Sequence, residues 1–221
     1  MTDVTLILTF LKSLAKNNHR EWFEKNKSKY LQAKQTFDLL VKSFLDELVK
    51  FDDSLAGIDA KKLAFRIYRD VRFSKDKSPY KTNMGAGFSP SGKLVQQPGY
   101  YLHIEPGNKS MIAGGMYMPD PVNLAKIRQE IDYNSEKLEK IFKAKQFKLE
   151  FGSFSESDKL KNVPRDFPKD HPHADWLKLK SYIVVHRLTD KEVVDKNFLK
   201  KITILGKTIT PLNLFLREAI Q

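Results

Sequence analysis

The sequence predicts an α+β fold: a mainly antiparallel β-sheet of hairpins with helices packed on it, and helices at both the N- and C-terminal ends. Three observations predict it. Apolar residues recur at helical spacing near both ends of the chain. Period-two alternation, interrupted by Pro- and Gly-containing turns, fills the middle. The strand signals come in a group, not in the strand–helix–strand order of a doubly wound parallel sheet. With 221 residues, no internal repeat and no flexible linker, a single domain spanning 1–221 is expected.

Leu6, Ile7, Phe10, Leu11 and Leu14 predict an amphipathic helix over 4–16, broken at Asn17-Asn18. Asn18 followed by Glu21 reads as a capping box. It starts a long helix to about Lys50, with a stripe from Trp22 through Tyr30, Phe37 and Phe44 to Leu48. Asn26 is the polar member of that stripe, placed to cap a loop or line a cavity. From Lys62 to Phe73 the pattern has period two and predicts a strand. Gly85–Ser89 and Lys93–Gln96 flank Pro90-Ser91-Gly92, and Tyr100–Glu105 and Ser110–Met118 flank Pro106-Gly107-Asn108, giving two hairpins. Gly114-Gly115 inside a strand signals a bulge or a close backbone approach. Asp120-Pro121 caps a helix, and a second runs over Asn134–Lys145. Residues 147–175, with three prolines, read mostly as loop with a short helix. Tyr182–Leu188 is a strand. A Thr189/Glu192 capping box begins a helix to about Gly206, and Thr210-Pro211 begins a last one.

The 41% hydrophobic content and 25 aromatic residues supply a core rich in rings. Cysteine is absent, which excludes disulfides, thiolate catalysis and Cys-ligated metal centres. The start Met1-Thr2-Asp3-Val4 lacks a signal-peptide basic region, and no apolar run approaches the ~18 residues that span a bilayer. A cytoplasmic protein with no membrane partner is expected. The net charge of +12 suits anionic partners. Residues 61–81 hold eight Lys and Arg against two Asp, half of that charge in about a tenth of the chain.

These segments resemble a widespread bacterial family of uncharacterised proteins, known as a domain of unknown function, over nearly the whole chain. The marks are Asn18-His19-Arg20-Glu21-Trp22-Phe23, the run from Arg66 to Thr82 with Arg72-Phe73-Ser74-Lys75-Asp76-Lys77-Ser78-Pro79-Tyr80-Lys81-Thr82, Gly99-Tyr100-Tyr101-Leu102-His103-Ile104, Gly114-Gly115-Met116-Tyr117 and Asp170-His171-Pro172. The resemblance implies an α+β domain of this length and brings no activity, substrate or catalytic residue.

The basic stretch is the foremost candidate ligand site. Arg66, Arg69, Arg72, Lys75, Lys77, Tyr80 and Lys81 offer guanidinium, ammonium and hydroxyl donors of the kind that grip phosphate or carboxylate. A strand edge kept charged against aggregation is the competing reading. Arg69 falls on the apolar side of the expected strand, where a charge needs a partner or a ligand. Tyr101, His103 and Glu105 share one strand face, so His103 could act as acid or base with Glu105 orienting it. A hydrogen-bonded sheet face is the plainer reading, since no nucleophile is identified. Gly85-Ala86-Gly87 lacks the rest of a phosphate-cradling loop and reads as strand accommodation. His171 and His173 are spaced wrongly for a metal. Helix initiation by Asp170 and pinning of the loop by His171 fit better. Arg20, Trp22 and Asn26 could stack a base, but a core tryptophan with an arginine at its rim is commoner. No cofactor motif is present.

Two functions compete. One is an anionic small-molecule site, binding or enzymatic, where the basic strand and loop meet the His103 face. It expects Arg66, Arg69 and His103 in one concave pocket. The other is a nucleic-acid-binding module on the same cations. It is less favoured because the aromatics lie at core spacing and no recognition motif appears. A protein–protein adaptor with no ligand is a third reading.

Overall fold

The computed structural model describes residues 4–92, 94 and 96–221. Helices α1 (Thr5–Lys16), α2 (Arg20–Lys25) and α3 (Lys27–Leu48) come first. Strands β1 (Met84–Phe88), β2 (Gly99–Ile104) and β3 (Ser110–Met116) follow as a meander. After α4 (Pro121–Lys143), α5 (Lys145–Glu150) and α6 (Ala174–Leu177), strand β4 (Tyr182–Leu188) returns to pair beside β3. Helices α7 (Asp190–Val193) and α8 (Phe198–Ile220) end the chain. The sheet order is β1-β2-β3-β4, with every pair antiparallel. The fold is α+β, as the patterning predicts. Among the described residues no helix is long and apolar enough to cross a membrane.

The core lies between one face of the sheet and helices α3 and α8. Phe88, Tyr100, Leu102, Ile104, Ile112, Tyr182 and Val184 point into it, against Phe44, Leu48, Ile202, Ile209 and Leu216. Helix α8 lies close upon β3 because of Gly114-Gly115. A Cβ on Gly114 would overlap Ile209. Gly115 has φ +111°, a conformation costly for any other residue, and a Cβ there would overlap the Tyr182 carbonyl. Its amide donates to Asn213 Oδ1 of α8 at 2.8 Å.

Beside that contact lies a buried polar knot. The Asp52 carboxylate accepts two bonds from Arg217 of α8, at 2.8 and 3.0 Å, one from the Tyr100 phenol at 2.8 Å, and one from Ser54 at 2.6 Å. Tyr100 also meets Thr210 at 3.0 Å. Burial raises the Asp52 carboxyl, but the bonds from Arg217, Ser54 and Tyr100 outweigh it and hold the group below its ordinary range. The knot ties the chain after α3, strand β2 and helix α8 together.

Several local expectations change. Lys62–Phe73 is not a regular strand. It runs antiparallel beside residues 79–87, but the bridges Ala64–Ala86 and Tyr68–Tyr80 differ in register by two residues, so the ladder is broken between them. Phe73 is 95% exposed, so the alternation does not continue to its end. Asn18 does not cap α2. Its side-chain amide donates to the Tyr80 carbonyl at 2.9 Å and accepts from the Tyr80 amide at 3.1 Å, and His19 is the cap instead. The long helix breaks at Asn26, whose side chain donates back to the Trp22 carbonyl. The expected helices at 121 and 134 merge into α4, with non-helical angles at Asn134 marking the junction.

Gly206 and Pro211 both lie inside α8. Gly206 is a packing glycine, since a Cβ would approach Leu48 to 2.8 Å. Pro211 costs ~3 kcal/mol in an isolated helix, and the burial of Ile209, Leu212, Phe215 and Leu216 against the sheet offsets it. The Thr189/Glu192 capping box forms, but it caps only the short α7. Of the expected strand 93–96, Lys93 and Val95 lie outside the described residues.

Two outcomes follow for stability. Gly114→Ala loses ~1–3 kcal/mol in chemical denaturation through overpacking against Ile209. Arg217→Met strands the Asp52 charge and loses ~3–5 kcal/mol at neutral pH. Because Asp52 is depressed when folded, its contribution is complete above the unfolded carboxylate value of ~4 and fades as pH falls through the lower folded value. The loss in Arg217→Met therefore shrinks in acid, which denaturation at a series of pH values reads directly.

Candidate functional site

The helices cover one face of the sheet. The opposite face carries a cavity of about 510 Å³. Its floor is made by Met111 and Ala113 of β3 and Ile183 and Val185 of β4, with Phe65 and Leu94 also lining it. Polar side chains enter from Lys81, Asn83, Gln96, Gln97 and Tyr101. Gly85 lies under the Tyr101 phenol, where a Cβ would come within 2.6 Å of the hydroxyl, and Gly87 lies under Leu94. The Gly-x-Gly is thus strand accommodation, as its spacing suggests.

Strand β2 sends Tyr101, His103 and the following Glu105 to this face. They form one hydrogen-bonded chain. Glu105 Oε2 lies 2.9 Å from His103 Nε2, and His103 Nδ1 lies 2.9 Å from the Tyr101 hydroxyl. A carboxylate only accepts, so His103 carries its proton on Nε2 and leaves Nδ1 to accept from Tyr101. Burial, with the Glu105 charge adding, pushes the Tyr101 phenol up to about 12. Tyr101 therefore stays protonated and is the donor. Thr82 donates to Glu105 Oε1 at 3.3 Å, and Lys109 stands 3.9 Å from the same oxygen. His103 is almost fully buried. Of the three, only Tyr101 lines the cavity.

The basic stretch does not gather at this cavity. Arg69 forms an ion pair with Asp76 and donates to the Ser78 carbonyl and to Ser74 Oγ, each at 3.2 Å. Its partner is thus inside its own loop. Arg72 grips Asp70 with two parallel bonds, from Nε to Oδ1 at 3.0 Å and from Nη2 to Oδ2 at 2.7 Å, and lies over the Phe73 ring. Lys77 donates to the Val71 carbonyl at 3.0 Å. Arg66 and Lys75 are exposed. Tyr80 is a core residue, stacked on Phe23 at 4.0 Å. Only Lys81 reaches the cavity, its ammonium 5.8 Å from the centre of the Phe65 ring. The structure thus brings Lys81, Tyr101, His103 and Glu105 toward one region and leaves the arginines outside the cavity lining.

The other singled-out residues have structural settings. Trp22 packs on Phe10 at 6.1 Å and, with Asn26, lines a groove between α1 and the α2–α3 joint, while Arg20 is exposed. His171 pins its loop to α4 through Asp132 at 3.1 Å, and His173 does so through Glu139 at 3.2 Å. Asp170 does not initiate α6, whose N-cap is His173. Among the described residues no three His, Asp or Glu side chains gather to hold a metal ion.

The shared face of Tyr101 and His103 is legible in the chain from the alternation along one strand. The apolar side chains of β3 and β4 on the open face were not singled out. Met111 and Ala113 pair across to Arg187 and Val185, a register no local pattern supplies.

Hydrogen bonds from Ser78, then the Arg69 contact, hold the Asp76 carboxyl down at about 2. Arg69→Ala or Asp76→Ala opens the 70–79 turn to limited proteolysis, with the global denaturation midpoint nearly unchanged because the loop is at the surface. The contribution of Asp76 to that protection is complete above the unfolded carboxylate value of ~4 and fades as pH falls toward about 2.

No curated protein and no solved structure matches the chain. A family model does, that of the conserved hypothetical proteins of DUF2461, and it matches residues 6–215. The chain belongs to the DUF2461 family of conserved hypothetical proteins.

Proposed function

We propose that this protein binds a small, largely apolar molecule bearing one anionic group, in the cavity on the open face of the sheet. The observation that carries the reading is the apolar character of a sheet face that no helix covers. An antiparallel sheet with one face on the core normally turns polar residues to the other. Here Met111, Ala113, Ile183 and Val185 line the uncovered side. The volume of about 510 Å³ lies in the range of small-molecule pockets, which combine apolar walls with a few placed polar groups. Lys81 supplies the positive charge at the wall, and Tyr101, Asn83 and the two glutamines supply hydrogen bonds. Of the basic stretch, Lys81 is the member this reading uses.

Thermal shift with alkyl carboxylates and alkyl phosphates, each beside its uncharged amide or alcohol counterpart, tests the proposal. A ligand at 100 times its Kd adds ~2.7 kcal/mol to stability, a rise of several degrees in Tm. Ala113→Phe fills the cavity and abolishes the shift. Lys81→Met erases the preference for the charged member of each pair while keeping the uncharged response. A panel that produces no shift at low salt, or shifts that survive Ala113→Phe, overturns the proposal.

A further inference from the structure

The chain Glu105–His103–Tyr101 has a direction. Glu105 is anchored at the outer end, accepting from Thr82 and His103. His103 is shut between Glu105 and Tyr101 and does not line the cavity. Tyr101 does, and its hydroxyl lies 2.9 Å from Nδ1, to which it donates when the imidazole is neutral. The phenol oxygen has spent its one proton on His103 and keeps acceptor capacity. A ligand O–H in the cavity thus meets an acceptor backed by an imidazole, which is backed by a carboxylate.

From this geometry we infer that Tyr101, His103 and Glu105 form a proton relay that takes a proton from a ligand bound in the cavity. The inference rests on the binding reading above and names its ligand class: a weak oxygen acid on an apolar body, a phenol or an enol. In the transfer, the ligand O–H bond breaks and a new O–H bond forms on Tyr101. The former Tyr101 O–H bond breaks and an N–H bond forms on His103 Nδ1. The products are the ligand oxyanion and an imidazolium facing the Glu105 carboxylate. No electrons leave the system and no co-reactant is needed. The groups that set the balance are Glu105 and Lys109 at the outer end, Lys81 at the cavity, and Arg187, in the same row of the sheet two strands away across Met111. The carboxylate stabilises the imidazolium, and the Lys81 ammonium stabilises the oxyanion. The high value of the Tyr101 phenol suits a conductor that returns to its protonated form and is not itself consumed.

The probe is 4-nitrophenol, whose ionised form is read by its visible absorbance. Bound to the full-length protein, it shows its ionised band at a pH where the free phenol is protonated, with the ionised fraction raised about tenfold, a shift of about one pKa unit. Tyr101→Phe and His103→Gln each return the bound phenol to its free ionisation behaviour while binding persists. Circular dichroism and a cooperative melt confirm that each variant is folded, and the conservative pair guards against loss of either one. Nitrophenol that binds but stays protonated, or a shift unchanged in Tyr101→Phe, overturns the relay and leaves the binding proposal intact. Failure of nitrophenol to bind overturns the relay for phenols, and the alkyl carboxylate panel judges the cavity separately.

Discussion

Helix α8 can lie on the sheet only because β3 has no side chain at Gly114. Any Cβ there would occupy the space of Ile209. The next residue, Gly115, turns its amide to Asn213 in a conformation that glycine alone adopts cheaply. This close approach sets which face of the sheet is covered. It brings Thr210 to the Tyr100 phenol and Arg217 to Asp52, closing the buried knot. The core, the path of the chain after α3 and the position of β2 all follow from it.

The same constraint makes the site. With α8 and α3 on one face, the alternation along β2 sends Tyr100, Leu102 and Ile104 inward and leaves Tyr101, His103 and Glu105 on the other side. A buried charge pair such as Asp52–Arg217 is weak evidence of net stabilisation, since desolvation costs nearly what the attraction returns. Its contribution here is register: three separated segments share one carboxylate. The polar chain on the open face is held differently, by spacing along a single strand, and needs no distant segment except Thr82 and Tyr101's seat over Gly85.

Much of the charge of the basic stretch is paired within its own turn. The stretch around Arg69 looked like a site because it concentrates half the net charge. In the folded chain, Asp70 and Asp76 each take an arginine, and Lys77 closes onto a backbone carbonyl. Two carboxylates placed within seven residues of their arginines make a self-satisfied turn. The cavity depends instead on apolar residues facing away from the core, with Tyr101 and Leu94 of its lining seated over Gly85 and Gly87.

The sequence by itself determined the α+β class, the positions of the four sheet strands, the first helix, the second hairpin turn and the shared face of Tyr101, His103 and Glu105. Those features rest on periodicity and turn chemistry, which act over a few residues. Tertiary structure alone decided the rest. Asn18 left its helix to pair with Tyr80, 62 residues away. Gly206 and Pro211 remained inside one helix because burial against the sheet exceeded their local cost. The Asp52–Arg217 pair joins residues 165 apart. The open cavity required the pairing of β3 with β4, and the covering of one sheet face by α8, to exist at all. Long-range contacts choose among local preferences of similar energy, and a sequence pattern records only the preferences.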